Sequence, residues 1–325
     1  MNLREMTAER LMRYARIDTQ SSEESRTTPT TEKQFALAEV LAEELKKIGV
    51  PEVIYDREHC VVIGKIPATR EGARSLGLIA HMDVSPDAPS ADVKPWILKE
   101  YPGGDIVLNE EKGIVMRAEE YPNLQNYLGQ DLILTDGTTL LGADDKAAVA
   151  ELMTLAQVLL AHPEIPHGLV ALAFTPDEEV GGLAKDLDFA QFEAESAYTV
   201  DGDHLGYYAD ETFYAYAAKV KIRGLSVHPG TAKGIMKNAV DIAAEFMRLL
   251  PPAEKPQFTA GREGYTHVHG MRGDCENAQL DIILRDFDRE EMNRRIWDLD
   301  RIAELLNRKF GRARSVWRPR SSTAT

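Results

Sequence analysis

The sequence has few cysteines, and it has fewer basic than acidic residues. Its 325 residues include only two cysteines, Cys60 and Cys275, which lie far apart, so we predict no disulfide framework and expect a reducing compartment. Acidic residues outnumber basic ones by 53 to 38, which gives a net charge of −15. Phosphate binding needs a basic surface, so we expect neither nucleic acid nor an anionic membrane as a partner.

Long apolar stretches are also lacking. None approaches the roughly 20 residues that a membrane-spanning helix requires. The N-terminus, MNLREMTAERLMRYARI, is charged and amphipathic, unlike a secretory signal peptide. We therefore expect a cytoplasmic protein, and its length favours two domains.

Apolar runs alternate with helical patterns as far as residue 201. One helix should follow Thr31 and Gln34, which have the spacing of a capping box, and end at Gly49. The other patterns predict helices at 5–17 and 145–161, and strands at 61–66, 76–80, 131–136, 168–176 and 196–201. This order predicts an α/β domain with a mostly parallel sheet over residues 1–209.

The pattern changes from about residue 210. Residues 213–222 alternate like an antiparallel strand with one wet face, and a helix at 235–250, a strand at 279–287 and a helix at 289–309 follow. We predict a smaller α+β domain over residues 210–325. From about residue 312 the chain is basic, has no amphipathic period and is expected to be unfolded. It is either a natural basic tail or, as we favour, the product of a departure from the parent sequence.

Polar residues follow the ends of several predicted strands. His81 and Asp83 come directly after one strand, and a neutral imidazole with a carboxylate beside it is typical of a zinc ligand and its orienting partner. A His–x–Asp sequence also occurs by accident on surfaces. Asp201 ends another strand, and groups at strand ends are well placed to bind ligands in an α/β sheet.

Two acidic clusters complete this pattern. Asp144 and Asp145 precede the long helix, where they either cap it or, with Asp144 bridging, hold two metal ions. Asp177, Glu178 and Glu179 follow the most apolar strand and repel one another unless cations neutralise them, although a solvated acidic loop is the alternative. In an extended segment, Glu179 would bind metal while Glu178 faces a reacting water as base.

The combination is more specific than any single motif. Because the strand ends share one edge of the predicted sheet, these groups are expected to converge, and histidine with carboxylates suits zinc. The sequence resembles the M20 family of metallopeptidases, and within it most closely the tripeptide aminopeptidases, almost throughout its length. The resemblance rests on six motifs in order: HMDVSPD, TLLGADDKA, AFTPDEEVG, YTVDGD, VHPGTAKG and IILRDFDR.

The resemblance implies a two-zinc hydrolase of short peptides. His81 and Asp201 would hold one zinc, Asp144 would bridge both, and Glu179 would bind the second. Glu178 would be the general base for cleavage of the first peptide bond of a tripeptide. Asp83 would orient His81, and the peptide bond after Asp144 would be cis.

The resemblance also assigns roles in the smaller domain, which would act as a lid and as a possible homodimer interface. His228 would stabilise the oxyanion, Asn238 would hydrogen-bond the peptide, and Arg285 would bind the substrate's C-terminal carboxylate. The alternative for Arg285 is an ion pair with Asp286 or Asp288.

The sequence departs from the family pattern in one respect. The family has a final histidine near its C-terminus that ligates the second zinc, and none of the eight histidines here fits that context. They are His59, His81, His162, His167, His204, His228, His267 and His269. We therefore expect a second site with only Asp144 and Glu179, and little folding or activity of this chain alone.

Two other functions remain open from the sequence. One is an M20 hydrolase of N-acyl amino acids or of a succinylated diamine, against which the TTLLGADDKA and PGTAKG segments argue. The other is a truncated, inactive product or a binding partner of an intact enzyme, which the unusual C-terminus favours.

Overall fold

A computed structural model describes residues 2–182, 186–202 and 205–311 and the backbone of 315–321. The chain divides into two compact units, Met1–Tyr207 and Tyr208–Thr325; the sequence placed the boundary at 209/210. Within the described residues, no helix is long and apolar enough to cross a membrane.

Unit 1 is built around a five-stranded mixed sheet. Its helices are α1 (Leu3–Ala15), α2 (Gln34–Ile48), α3 (Ala143–Ala161) and α4 (Phe189–Phe192). Its strands are β1 (Glu52–Asp56), β2 (Val61–Ile66), β3 (Leu76–His81), β4 (Trp96–Leu98), β5 (Ile106–Asn109), β6 (Ile114–Met116), β7 (Leu132–Leu134), β8 (Val170–Thr175) and β9 (Ser196–Thr199). The main sheet has the order β1-β2-β8-β3-β9, while β4 with β7 and β5 with β6 form two small two-stranded sheets.

The strands that matter for function run parallel. β3 pairs in parallel with β8 on one side and with β9 on the other, whereas β1 and β2 are antiparallel to their neighbours. The α/β architecture expected from the sequence is confirmed, with the parallel part at one side of the sheet. The carboxyl ends of β3, β8 and β9 therefore lie at one edge.

Both faces of this sheet are covered, as the unbroken apolar run of β8 predicts. Leu172 and Phe174 pack in the larger core with α1, α2 and α3, while Ala171 and Ala173 pack on the opposite face. On that face Gly77 approaches the ring of Phe192 so closely that an added Cβ would lie 2.5 Å from it. The strand ends are thus held on a rigid scaffold.

Unit 2 is an antiparallel sheet of the order β11-β12-β10-β13 with its helices on one face. Its elements are β10 (Tyr214–Arg223), α5 (Ala239–Leu249), β11 (Tyr265–Gly273), β12 (Asn277–Asp286), α6 (Arg289–Phe310) and β13 (Ser315–Ser321). Val220 and Ile222 are buried while Lys219 and Lys221 are exposed, so the predicted one-sided wetting of β10 is confirmed.

Several details differ from the sequence-based expectation. The backbone of β13, in the segment expected to be unfolded, pairs antiparallel with β10. α5 begins only at Ala239, because Asn238 caps it by accepting a hydrogen bond from the Val240 amide at 3.1 Å. Gln34 forms no capping box; its amide is buried against Asp177.

Candidate metal centre

His81 is the last residue of β3, and three acidic residues predicted with it lie at the same edge of the sheet. Glu178 and Glu179 follow β8, and Asp201 follows β9. His81 pairs in register with Thr175, near the end of β8. The parallel register thus explains why residues up to 120 positions apart meet here.

The structure brings three predicted ligands together around one point. Nε2 of His81 lies 3.0 Å from Oδ1 of Asp144 and 3.9 Å from Oδ2 of Asp201. One ligand atom of each residue lies within 4.8 Å of the others. Of the histidines that the structure describes, only His81 belongs to this cluster; His204 lies outside the described residues.

The imidazole of His81 is oriented by Asp83. Nδ1 lies 3.1 Å from the Asp83 carbonyl oxygen and 3.2 Å from its Oδ1, so both acceptors favour a proton on Nδ1. Once the proton on Nε2 is displaced, the ring presents the Nε2 lone pair toward Asp144 and Asp201, which is the form that binds a metal ion. Both His81 and Asp83 are buried.

Asp144 and Asp145 do not cap α3, which removes that alternative. No side chain forms a capping bond there, Asp144 and Asp145 have non-helical backbone angles, and the peptide bond between them is cis, as the resemblance implies. The Asp144 carboxylate is largely exposed toward the cluster side, with 70% of its side-chain area accessible. Asp145 is buried, and its Oδ2 accepts a hydrogen bond from the His81 amide at 3.2 Å.

Glu178 and Glu179 lie on a tight turn and not on the extended segment that the sequence favoured. Glu178–Val180 forms a single 3-10 turn, preceded by Asp177 in the left-handed region at φ 63°. Asp83 holds this turn by accepting hydrogen bonds from the Glu178 amide at 2.9 Å and the Glu179 amide at 3.2 Å. Oε2 of Glu178 lies 3.9 Å from Nε2 of His81.

Burial raises the pKa of several carboxyl groups of the cluster, whereas a hydrogen bond with His81 lowers that of Asp144. Burial, with repulsion from Asp144, raises the pKa of Glu179 to about 7. Burial also raises the pKa of Asp145 to about 8 and shifts those of Glu178 and Asp201 upward. Burial opposes the charged form of His81, yet hydrogen bonds to Asp144 and Asp83 outweigh it and raise its pKa to about 11.

Such a cluster favours a cation. Mutually repelling carboxylates beside one imidazole are relieved by a divalent ion, and this donor set suits zinc. His81, Asp144 and Asp201 therefore fit a metal ion, whereas Glu179 contributes to the field of the site without being among the three converging ligand atoms.

The three predicted substrate residues of unit 2 have local roles as well. Nδ1 of His228 accepts a hydrogen bond from the Gly230 amide at 3.1 Å, so the neutral ring carries its proton on Nε2. Asn238 caps α5 through its Oδ1. Arg285 lies over the Phe213 ring at 5.7 Å.

The alternative ion pair of Arg285 is not formed among the described residues. Asp286 instead accepts a hydrogen bond from Nε of Arg295 at 2.8 Å, and Asp288 caps α6 by accepting bonds from the Glu290 and Glu291 amides. The guanidinium of Arg285 donates to the Leu284 carbonyl at 3.0 Å.

Sequence reasoning missed two contacts of the site. It did not assign Asp145 to the His81 amide, and it did not foresee that Asp177 is bound by Thr30 and Gln34. The partners are 64 to 147 residues apart, and nothing in the local pattern of any of these residues signals the contact.

The chain is similar to known proteins over most of its length. Residues 211–313 match the family model of the peptidase dimerisation domain. The chain is 48% identical to peptidase T of Geobacillus thermodenitrificans over 307 residues, which cover 94% of this chain and 74% of that protein. It is 47% identical to peptidase T of Bacillus licheniformis over 304 residues, with 93% and 74% covered.

Solved structures share the fold. The superposition on aminopeptidase PepT from Bacillus cereus covers 99% of this chain and 76% of that protein, with a TM-score of 0.67 and 24% sequence identity. The superposition on a tripeptidase from Staphylococcus aureus covers 99% of this chain and 76% of that protein, with a TM-score of 0.71 and 20% sequence identity.

Proposed function

Since the chain belongs to the peptidase T family of M20 metallopeptidases, we propose that it is a metal-dependent aminopeptidase that releases the N-terminal residue of tripeptides. The observation that carries the proposal is the convergence of His81, Asp144 and Asp201 on one point at the carboxyl ends of parallel strands. Glu178 beside this point provides an acid–base group.

Zinc is the ion we propose. His81 and Asp201 would hold one ion, Asp144 would contribute to both sites, and Glu179 would contribute to the second. A bound ion supplies Lewis-acid activation of a water molecule and of the scissile carbonyl. The buried hydrogen bonds of Asp83 to His81 keep the imidazole in the tautomer that this role requires.

Glu178 is the proposed general base. It takes a proton from the attacking water, whose oxygen bonds to the carbonyl carbon, and delivers that proton to the amine that leaves as the C–N bond breaks. Burial raises the pKa of Glu178 above its ordinary value, which suits a group that accepts and returns a proton near neutral pH.

Three residues of unit 2 stay predictions for substrate contact. The Nε2–H of His228 is a suitable donor to an oxyanion, since Nδ1 is already occupied by the Gly230 amide. The guanidinium of Arg285 suits a C-terminal carboxylate. Asn238 keeps its amide group as a donor, because its cap uses Oδ1.

Substrate comparison tests the proposal. The purified chain, loaded with zinc, is offered trialanine and N-acetylalanine at equal concentrations, and the released amino acids are quantified. The second site with only two protein ligands should keep turnover low. We expect that turnover to give alanine and dialanine from trialanine, with little hydrolysis of the acyl substrate and loss of activity in His81→Ala. Preference for N-acetylalanine, or turnover that survives both chelation and His81→Ala, would contradict the proposal.

We also propose that the chain forms a homodimer through unit 2, because the family model that this region matches is a dimerisation domain. Light scattering on the purified chain should give twice the 36.2 kDa of one chain. A mass of one chain at concentrations of tens of micromolar would count against it.

A further inference from the structure

Asp177 is a buried carboxylate whose binding partners carry no positive charge among the described residues. It is 2% exposed and lies between β8 and the turn of Glu178. Both carboxylate oxygens lie 2.9 Å from the Thr30 amide, and Oδ1 also accepts from Thr30 Oγ1 at 2.5 Å and from Gln34 Nε2 at 2.7 Å. A buried carboxylate without a counter-ion or donors is costly. The surrounding structure therefore provides this set of donors specifically to hold Asp177 in place.

Gln34 completes the contact from the other direction. Its side chain is fully buried, and its Oε1 accepts a hydrogen bond from the Asp177 amide at 3.2 Å. Side chain and backbone of Asp177 are therefore both bound by α2 and the segment before it. We call Asp177, Thr30 and Gln34 the Asp177 clamp.

The clamp and Asp83 hold the same short backbone segment from two sides. The amide of Asp177 is bound by Gln34, whereas the next two amides, of Glu178 and Glu179, are bound by the Asp83 carboxylate. Three successive backbone N–H groups are thus each fixed by a side chain. Asp83 also contacts Nδ1 of His81 and so belongs to the metal centre, whereas the clamp ties this turn to α2 and the segment before it.

The backbone after the turn is equally constrained at its first residues. The Gly182 amide donates to the Asp177 carbonyl at 2.6 Å, and a Cβ at Gly182 would lie 2.6 Å from that of Asp177. The left-handed backbone of Asp177, at φ 63°, reverses the chain just before Glu178. Displacing Asp177 would therefore move the two carboxylates that follow it.

We propose that Asp177, held by Thr30 and Gln34, is a positioning residue that fixes the backbone carrying Glu178 and Glu179 at the metal centre. The expected effect on catalysis rests on the proposed function. The expected effect on the backbone of the turn does not, because it is measured in the metal-free chain. A purely structural clamp would add stability and leave the geometry of the turn unchanged.

Thr30→Val tests the clamp with a small change, since it removes one hydroxyl and keeps the backbone donor. Thr154→Val is the matched control: Thr154 is a buried threonine in the same unit, with its hydroxyl bound by Arg10. Amide hydrogen exchange of Glu178 and Glu179 is measured in the metal-free chain. We expect these two amides to exchange several-fold faster in Thr30→Val than in Thr154→Val. The two variants are compared under conditions in which they have the same free energy of global unfolding.

Catalysis provides the second measurement. In the zinc-loaded chain, Thr30→Val and Gln34→Met should lower kcat about 10- to 100-fold with little change in KM, because misplaced reacting groups slow the chemical step. Thr154→Val should retain the parental kcat. The visible spectrum of the cobalt-substituted chain should change with Thr30→Val and Gln34→Met and not with the control.

The outcomes separate the two proposals. If the parent chain neither binds zinc nor cleaves trialanine, the proposed function fails, while the exchange measurement still decides the clamp. If exchange at Glu178 and Glu179 responds equally to Thr30→Val and Thr154→Val, the positioning role is overturned. It is overturned as well if the parent chain is active and the clamp variants leave kcat and the cobalt spectrum unchanged.

Discussion

Five carboxyl groups surround His81, and what each contacts distinguishes its task. Asp83 bonds to Nδ1 and orients the ring, whereas Asp145 accepts from the backbone amide and fixes the chain that carries the ring. Asp144, Asp201 and Glu178 face Nε2 at 3.0, 3.9 and 3.9 Å. Asp144 and Asp201 converge with His81 as ligand atoms, which leaves Glu178 as the nearby group available for proton transfer.

Glu178→Gln should separate catalysis from metal binding. Glutamine keeps the size of the side chain and cannot accept the proton of the attacking water, so turnover of trialanine should fall about 10²- to 10⁴-fold. Zinc affinity, measured by calorimetry, should change little. Glu195→Gln is the control, because Glu195 forms an exposed ion pair with Arg74 in the same unit. A large loss of zinc affinity, or parental turnover, would contradict the assignment.

Sequence alone predicted residues by chemical type and position at strand ends. His81 and Asp201 were singled out in this way, because a parallel sheet brings its strand ends together. Asp144 lies at the start of α3, and its place among the ligands was predicted from the family resemblance. The tasks of Asp145 and Asp177 were not predictable, because they depend on partners such as the His81 amide and Gln34 that only the tertiary structure brings near.

At the scale of elements, long apolar patterns were predicted well, whereas very short strands and a largely polar strand were missed. β8 and α3 are specified by their own burial, whereas β5 and β6 have four and three residues and pair only with each other. β11 was missed because its sequence, YTHVHGMRG, is largely polar. Its strand conformation comes from pairing with β12 over most of its length.

The packing of α1 against α2 gives a pH-dependent prediction. Burial opposes ionisation of Glu44, yet hydrogen bonds from Tyr14, Arg13 and Arg10 keep its pKa below the ordinary 4.5. Because the folded-state pKa is depressed, this contribution is present above the unfolded-state pKa and is lost as the pH falls through the folded-state value. Glu44→Gln should thus lower the free energy of unfolding at pH 7 by about 2 kcal/mol.

The neighbouring residue provides the control for that experiment. Glu43 forms an exposed ion pair with Lys46 on the same helix, and Glu43→Gln should change the free energy of unfolding by less than about 0.5 kcal/mol. Urea unfolding at pH 7 and at pH 3 compares the two variants with the parent. A Glu44→Gln effect that is equally large at both pH values would refute the linkage.

The acidic residues that exceed the basic ones in the whole molecule include a dense group around His81. The chain carries a net charge of −15, and unit 1 concentrates Asp83, Asp144, Asp145, Glu178, Glu179 and Asp201 around one histidine. Burial and mutual repulsion oppose the ionised form of several of these groups in the metal-free chain. A divalent ion that binds only the folded chain should then stabilise it, since the unfolded chain has no assembled site.

Metal removal should therefore lower the midpoint of thermal unfolding. Free zinc at about 100 times its dissociation constant adds about 2.7 kcal/mol, which corresponds to a shift of roughly 5–10 °C for a unit of this size. Calorimetric scans of the zinc-loaded and the chelated chain measure the shift. His81→Ala is the control and should show none, because it removes the imidazole of the cluster. Equal midpoints with and without zinc, or an undiminished shift in His81→Ala, would mean that zinc does not bind the folded chain at these residues.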